Sequence, residues 1–302
     1  MKITYGIKDK SVDVTSICFS KLNANGKIII PFGDVIRSAF FTDPLNNVCK
    51  SIFIEDDAGV KTEYNENAQI IIDELTNGVI CVTDHDIYNK LIEIHGTLQL
   101  RNGSFKDEFP EQKMALTFIT GNERVLEIGG NIGRNSLIIA TIMKNNPNPT
   151  SKFVTLECDA GISRQLAENR DLNQFDFQIE PSALSVRKLI QKGWDTVPSD
   201  TLLPGYQWVN TITFAELQAK YNVEFDTLVL DCEGAFYYIL MDMPEILTNI
   251  KLIIMENDYN DIAHKEYIDT VLKNAGFMVF YSEQGGWGPC YDRFFEVWKN
   301  FN

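Results

Sequence analysis

Histidine is scarce in this chain of 302 residues, which carries only His85, His95 and His264. No His/Asp/Glu group has metal-ligand spacing, so no metal is expected. The six cysteines, Cys18, Cys49, Cys81, Cys158, Cys232 and Cys290, form no C-x-x-C pair. That excludes zinc-ribbon and thioredoxin-like readings, and scattered thiols suit a reducing compartment. Long apolar runs are also missing. The first ten residues, MKITYGIKDK, lack the apolar core of a signal peptide. Stretches such as Leu137–Met143 are too short to cross a bilayer. A soluble, cytoplasmic protein is expected. Basic residues are outnumbered, 27 against 42 acidic, for a net charge of −15. Such a chain repels phosphate backbones and anionic surfaces. Nucleic acid and membrane are therefore not expected partners, and a neutral small-molecule or carbohydrate acceptor is.

What is present falls into two styles. Residues 1–85 read as short β-branched strands, Ile28–Ile30, Ser51–Ile54 and Val79–Thr83, with turns at Asn25-Gly26 and Asp56–Gly59. This predicts a small β-rich module. Residues 86–108, broken by Gly96 and Asn102-Gly103, read as a connecting segment. From 109 to 302 strands and helices alternate. Strands are expected at Arg124–Ile128, Phe153–Leu156, Phe177–Ile179, Thr227–Leu230, Leu252–Met255, Met278–Tyr281 and Phe294–Trp298. Helices are expected between them, one opened by a Thr213-to-Glu216 capping box. Alternation predicts an α/β domain whose parallel sheet is covered on both faces. The final strand pair, joined by a short loop, should be antiparallel.

Four strand ends carry chemistry. Val125–Gly133 is a buried strand, a glycine turn and a helix start. Its glycines allow close backbone approach to a ligand, and the helix start offers free N–H groups. The dinucleotide fingerprint G-x-G-x-x-G needs glycine where Asn131 and Arg134 stand. The spacing G-x-N-x-G suits a nucleoside without pyrophosphate. Glu157, ending the second strand, is placed to accept hydrogen bonds from ribose hydroxyls. Leu230-Asp231-Cys232-Glu233-Gly234 puts acids at the mouth of an apolar strand, where Asp231 could equally cap the next helix. Glu256 closes the fifth strand and could orient an acceptor or take its proton.

These segments resemble the FkbM family of methyltransferases over about residues 109–300. Glu127–Gly133 is similar to that family's D/E-x-G-x-N-x-G motif, Ala183-Leu184-Ser185 to its loop after the third strand, Asp231–Ala235 to its D-x-E-G-A motif, and Glu256 to its acid after the fifth strand. The resemblance implies a Rossmann-like methyltransferase sheet, mostly parallel with an antiparallel last strand, preceded by the β-rich module. It implies S-adenosylmethionine as cofactor, with S-adenosylhomocysteine as product, and often O-methylation of sugars or natural products. The cofactor-binding set is then Glu127, Gly129, Gly130, Asn131, Gly133, Glu157 and Ala183; the catalytic set is Asp231, Glu233 and Glu256. One departure stands out: the family usually has an acid where this chain has Phe236. A divalent ion shared by Asp231, Glu233 and Glu256 is conceivable but not expected.

The acceptor is expected under the loop 282–292, whose Trp287 and Tyr291 offer aromatic faces. Trp287 could instead fold back into the core. His264, early in a helix after Glu256, could reach the same site as a base, or simply sit on a helix surface. Residues 186–210 form an extra segment of the kind that sets specificity. The expected activity is O-methylation of a sugar, nucleotide sugar or glycan hydroxyl. Protein or nucleic-acid methylation, and an inactive cofactor-fold binding module, remain alternatives; the absence of N/D-P-P-Y argues against base methylation. The N-terminal module reads either as an acceptor or partner site or as a packing module that supports a homo-oligomer.

Overall fold

The computed structural model describes residues 1–24 and 26–301. Asn25 lies outside the described residues, and with it the turn expected at Asn25-Gly26. Two compact units emerge. One comprises residues 1–90 with Val279–Ser282 and Phe301; the other comprises Leu91–Met278 and Glu283–Asn300.

The smaller unit contains two four-stranded antiparallel sheets. Their inward positions alternate as a half-buried strand requires: Ile3, Tyr5, Ile52 and Ile54 in one, Ile28, Ile30, Ile70 and Ile72 in the other are all nearly inaccessible. Two helices, Thr15–Lys21 and Asp34–Phe41, accompany the strands and were not expected from the sequence. The Asp56–Gly59 turn is present, with Asp56 Oδ1 accepting from the Ala58 and Val60 N–H groups at 2.9 Å. Arg37 is fully buried and donates to the carbonyls of Pro31, Asn65 and Ala68. Its charge is thus held by backbone dipoles.

Within the connecting segment, residues 86–97 are helical. Helix α1 (Asp84–Thr97) places Ile87, Leu91 and Ile94 on one buried stripe. It is followed by α2 (Phe109–Phe118).

The larger unit is built on β1 (Arg124–Ile128), β2 (Lys152–Leu156), β3 (Gln178–Glu180), β4 (Thr227–Leu230), β5 (Leu252–Glu256), β6 (Phe277–Glu283) and β7 (Phe295–Asn300). Their order across the sheet is β3-β2-β1-β4-β5-β7-β6. The first five run parallel, and β7 pairs antiparallel with β5. This is the Rossmann-like sheet of the methyltransferase fold, with a reversed strand inserted next to the last. Helices α3 (Arg134–Asn145), α4 (Ala160–Leu172), α5 (Phe214–Tyr221), α6 (Phe236–Asp242) and α7 (Ile262–Asn274) connect the strands. Strand β4 is buried at every position, Thr227 through Leu230, as a central strand covered on both faces must be. The Thr213–Glu216 capping box opens α5. Residues 186–210 hold a three-stranded antiparallel meander, Leu189–Lys192, Asp195–Pro198 and Gln207–Val209. Among the described residues no helix is long and apolar enough to cross a membrane.

Candidate functional site

The C-terminal edge of the parallel strands opens into a cleft of about 590 Å³. Strand order reverses at β1, so the loops after β1 and β4 part there and leave a crevice. The two loops nevertheless touch at one point. Gly129 has φ +91°, and a Cβ on it would stand 1.5 Å from the Asp231 carbonyl oxygen. Only glycine lets these two chain segments approach so closely. Gly130 is also confined, by the side chains of Thr155 and Leu166. The N–H groups of Gly129 and Gly130 both donate to the Leu156 carbonyl, at 3.0 and 2.9 Å, which fixes the turn to the end of β2.

Asn131 completes the turn in the left-handed region, φ 46°. Its backbone N–H donates to Glu157 Oε2 at 3.0 Å, and the Asp159 N–H donates to Oε1 at 2.8 Å. Each carboxylate oxygen keeps a lone pair for a further donor. Burial pushes the Glu157 carboxyl up to about 7, against the pull of these N–H groups. Beyond it Cys158, Ser182, Ala183 and Leu184 line the cleft. The wall continues through the meander, with Trp194 at its Gly193-Trp194 turn, and through α6, with Tyr238 and Asp242. Arg187 donates to both Asp242 oxygens, at 2.6 and 2.7 Å, and so ties the segment leading into the meander to α6.

The other end is acidic. Asp231 and Glu233 come from the β4 end, Glu256 and Asp258 from the β5 end, and Glu108 and Glu111 from the start of α2. Glu111, Glu256 and Asp231 stand in a row, each within hydrogen-bonding reach of the next. Two facing carboxylates repel, so such contacts are favourable only when a proton is shared. Burial, then the neighbouring carboxyls, accordingly holds Asp231 well above the usual carboxylate range. The same causes carry Glu256 to about 9. Burial raises Glu111 to about 7, and burial with the Glu233 charge raises Asp258 to about 7. Burial raises Glu108 too, against the pull of Arg134 Nη1, which donates to its Oε1 at 2.6 Å, and of Asn131 Nδ2, which donates at 2.8 Å. Glu108 and Glu233, like Asn131, are non-glycine residues held left-handed, with φ 55° and 51°. Backbone strain of this kind gathers where geometry is imposed.

The structure brings together most of the residues singled out in the sequence. Gly129, Asn131, Glu157, Ala183, Asp231, Glu233, Glu256 and Trp287 all line the cleft. Trp287 is 46% exposed and so is not core. Five others lie outside the residues that line the cleft. Glu127 is not at the cleft: it is buried, accepting from Asn135 Nδ2 at 3.2 Å and from Ser136 Oγ. It secures the first turn of α3 from below. Gly130 and Gly133 shape the turn without lining the cleft. His264 stacks on Tyr237 at 3.8 Å between ring centroids, away from the lining residues. Tyr291 is exposed and also lies outside the lining. Phe236, standing where the family's acid was expected, is fully buried in the core.

Sequence reasoning missed Glu108, Glu111 and Asp258. Asp258 stands two residues past Glu256 in the sequence. Glu108 and Glu111 flank Pro110 at a helix start, where acids are ordinary surface residues. Only the fold reveals that this helix start faces the cleft.

No protein-family model matches the sequence, and no curated protein matches it. Among solved structures the chain is similar to an O-methyltransferase from Bacillus cereus in complex with SAH, at 14% identity over 71% of this chain and 90% of that one, TM-score 0.41. It is also similar to a ribosomal protein L11 methylase from Lactobacillus delbrueckii subsp. bulgaricus, at 11% identity over 68% and 84%, TM-score 0.42. A third is an O-methyltransferase from Streptomyces achromogenes involved in tomaymycin synthesis, in complex with SAM, at 12% identity over 73% and 92%, TM-score 0.39. At such identities a shared fold does not carry a shared substrate.

Proposed function

We propose that the chain is an S-adenosylmethionine-dependent methyltransferase of FkbM-like type acting on a small acceptor. The observation that carries this reading is the junction of Gly129 with Asp231. It leaves a turn of backbone with no side chain at Gly129, beside a buried carboxyl, Glu157, held with lone pairs to spare. A nucleoside needs that combination: a flat approach to backbone and an acceptor for its two ribose hydroxyls. The cleft is large enough for a ligand of this size.

The residues fit the cofactor. Glu157 would take the ribose, Cys158 with Ser182–Leu184 would flank the base, and Gly129 with Asn131 would face the amino-acid part. Bound there, the cofactor supplies an electrophilic methyl group on a sulfonium. An acidic surround tolerates that positive charge. The chain's own task is to place the acceptor and to receive its proton. Asp231 and Glu256, facing each other at the strand ends, form the pair that does so. Positioning supplies much of the rate in a displacement of this kind.

A sugar ring in the acceptor is favoured by one observation, the half-exposed indole of Trp287 on the cleft wall. The test of the cofactor is a thermal melt with S-adenosylhomocysteine, S-adenosylmethionine and NAD⁺, each in excess. A ligand at a hundredfold excess over Kd stabilises by about 2.7 kcal/mol. A rise with the two adenosyl compounds alone is expected. A rise with NAD⁺ alone, or with none of the three, overturns the reading.

A further inference from the structure

The acidic end of the cleft holds more carboxyl groups than the cofactor can answer. Among the described residues lining the cleft there are eight carboxyl side chains and one cationic side chain, Arg187. Arg187 is occupied by Asp242. Glu108 is matched by Arg134, and Glu157 by two backbone N–H groups. Glu111, Asp231, Glu233, Glu256 and Asp258 remain, with no ion-pair partner among the described residues. A bound sulfonium cofactor, with its own ammonium and carboxylate, adds only one net positive charge. A second feature points the same way. Glu111 is 7% exposed, faces the cleft, and leaves its Oε2 buried with no hydrogen-bond partner. A buried acceptor atom left without a donor is costly, so this oxygen calls for a donor, which a ligand supplies when no proton is shared with Glu256. Aromatic faces, Trp287 and Phe295, line the same cleft and suit a cation.

We infer that the acceptor is a protonated amine, bound as an ammonium among Glu111, Asp231 and Glu256, and methylated on nitrogen rather than on a hydroxyl. The inference rests on the methyltransferase reading and names its substrate class. An ammonium is a set of donors with no acceptor. It answers the unpartnered Glu111 oxygen and separates carboxylates that otherwise confront one another, where a hydroxyl brings one donor and no charge. An ammonium must lose a proton before it can attack. Burial and the neighbouring carboxyls make Glu256 a stronger base than an ordinary carboxylate, which suits it to take that proton. The balance is complete: the N–H proton goes to the Asp231–Glu256 pair, the N–C bond forms, and the donor's S–C bond breaks with its electron pair staying on sulfur.

The experiment is calorimetric titration near neutral pH into the S-adenosylhomocysteine complex, with matched probes: glucosamine against glucose, and 1,4-diaminobutane against 1,4-butanediol. The amines are expected to bind at least about tenfold more tightly than their neutral partners. Glu111→Gln should erase most of that difference and leave S-adenosylhomocysteine affinity within about twofold. The same variant should melt no lower than the parent, because it removes a repelling charge without changing shape; a fold disrupted by the substitution would show as a lower melt, and Glu256→Gln then repeats the comparison. Equal binding of amine and neutral probe, or preference for the neutral one, overturns the inference while leaving the cofactor reading intact. Binding of the amines to a protein that shows no affinity for S-adenosylhomocysteine would keep the cation site and sink the methyltransferase reading.

Discussion

Gly129 and Gly59 share a left-handed backbone, φ +91° and +80°, but not a fate under substitution. Around Gly59 an added Cβ meets nothing within 4 Å, so Gly59→Ala bears only the conformational penalty, about 1–2 kcal/mol. At Gly129 the same methyl would overlap the Asp231 carbonyl, and the loops after β1 and β4 would have to part. Gly129→Ala is expected to abolish S-adenosylhomocysteine binding and lower the melt well beyond Gly59→Ala. Titration calorimetry and melting of both variants check this, and retained binding in Gly129→Ala would refute the placement. Glu157 and Glu256 divide in another way. Glu157→Gln loses the anionic acceptor for two hydroxyls and should weaken adenosyl binding about tenfold. Glu256→Gln should leave that affinity within about twofold and lower kcat, since the proton acceptor is gone. An unchanged kcat would remove Glu256 from the chemistry.

At the scale of elements, the segment between β3 and β4 departs furthest from a plain α/β repeat. Its meander contributes Leu189, Gln191, Trp194 and the Thr196–Pro198 edge to the cleft wall. Trp194 is 63% exposed yet lines the cleft, so a ligand seated at the Ala183 end should cover it. Adenosyl binding is therefore expected to shift the tryptophan emission, and Trp194→Phe to remove most of that shift while the other three tryptophans remain. A shift unchanged in the variant would place the ligand elsewhere. The meander also marks where the sequence becomes illegible. Strands β1, β2, β4 and β5 were readable because each is an apolar run closed by glycine or acid. The meander strands are short, and two of them carry polar and exposed residues, so hydrophobic period says little of them. Helix α1 was hidden for a different reason. Its buried stripe of Ile87, Leu91 and Ile94 is narrow, and Gly96 reads as a breaker. The same limit governs the site. Glycines and strand-end acids announce themselves by position, whereas Glu111 acquires its meaning from β5, well over a hundred residues away.

For the molecule as a whole, the raised carboxyls make a statement about pH. Glu111, Glu127, Glu157 and Asp258 stand near 7 and Glu256 near 9, while unfolded carboxyls titrate near 3.9–4.3. Between about pH 4 and those folded values the folded chain holds protons that the unfolded chain has released, so stability falls as pH rises. Opposing groups are fewer. His95, lowered by burial, favours the folded state as pH climbs through the histidine range. Lys299, lowered by burial to about 8, does so only above that value. The carboxylates held low, such as Glu180, act below the window. The carboxyls should therefore dominate, and because about 1 kcal/mol moves the melt of a chain this size by about 2–4 °C, Tm should drop by at least about 5 °C from pH 5.5 to pH 8. A flat or rising Tm across that interval would show that the carboxyl row is relaxed or solvated. The same slope tests the reading of the cleft. A cationic ligand among Glu111, Asp231 and Glu256 lowers their folded values toward the unfolded ones, so saturating amine with S-adenosylhomocysteine should flatten the pH dependence, and the matched diol should leave it steep.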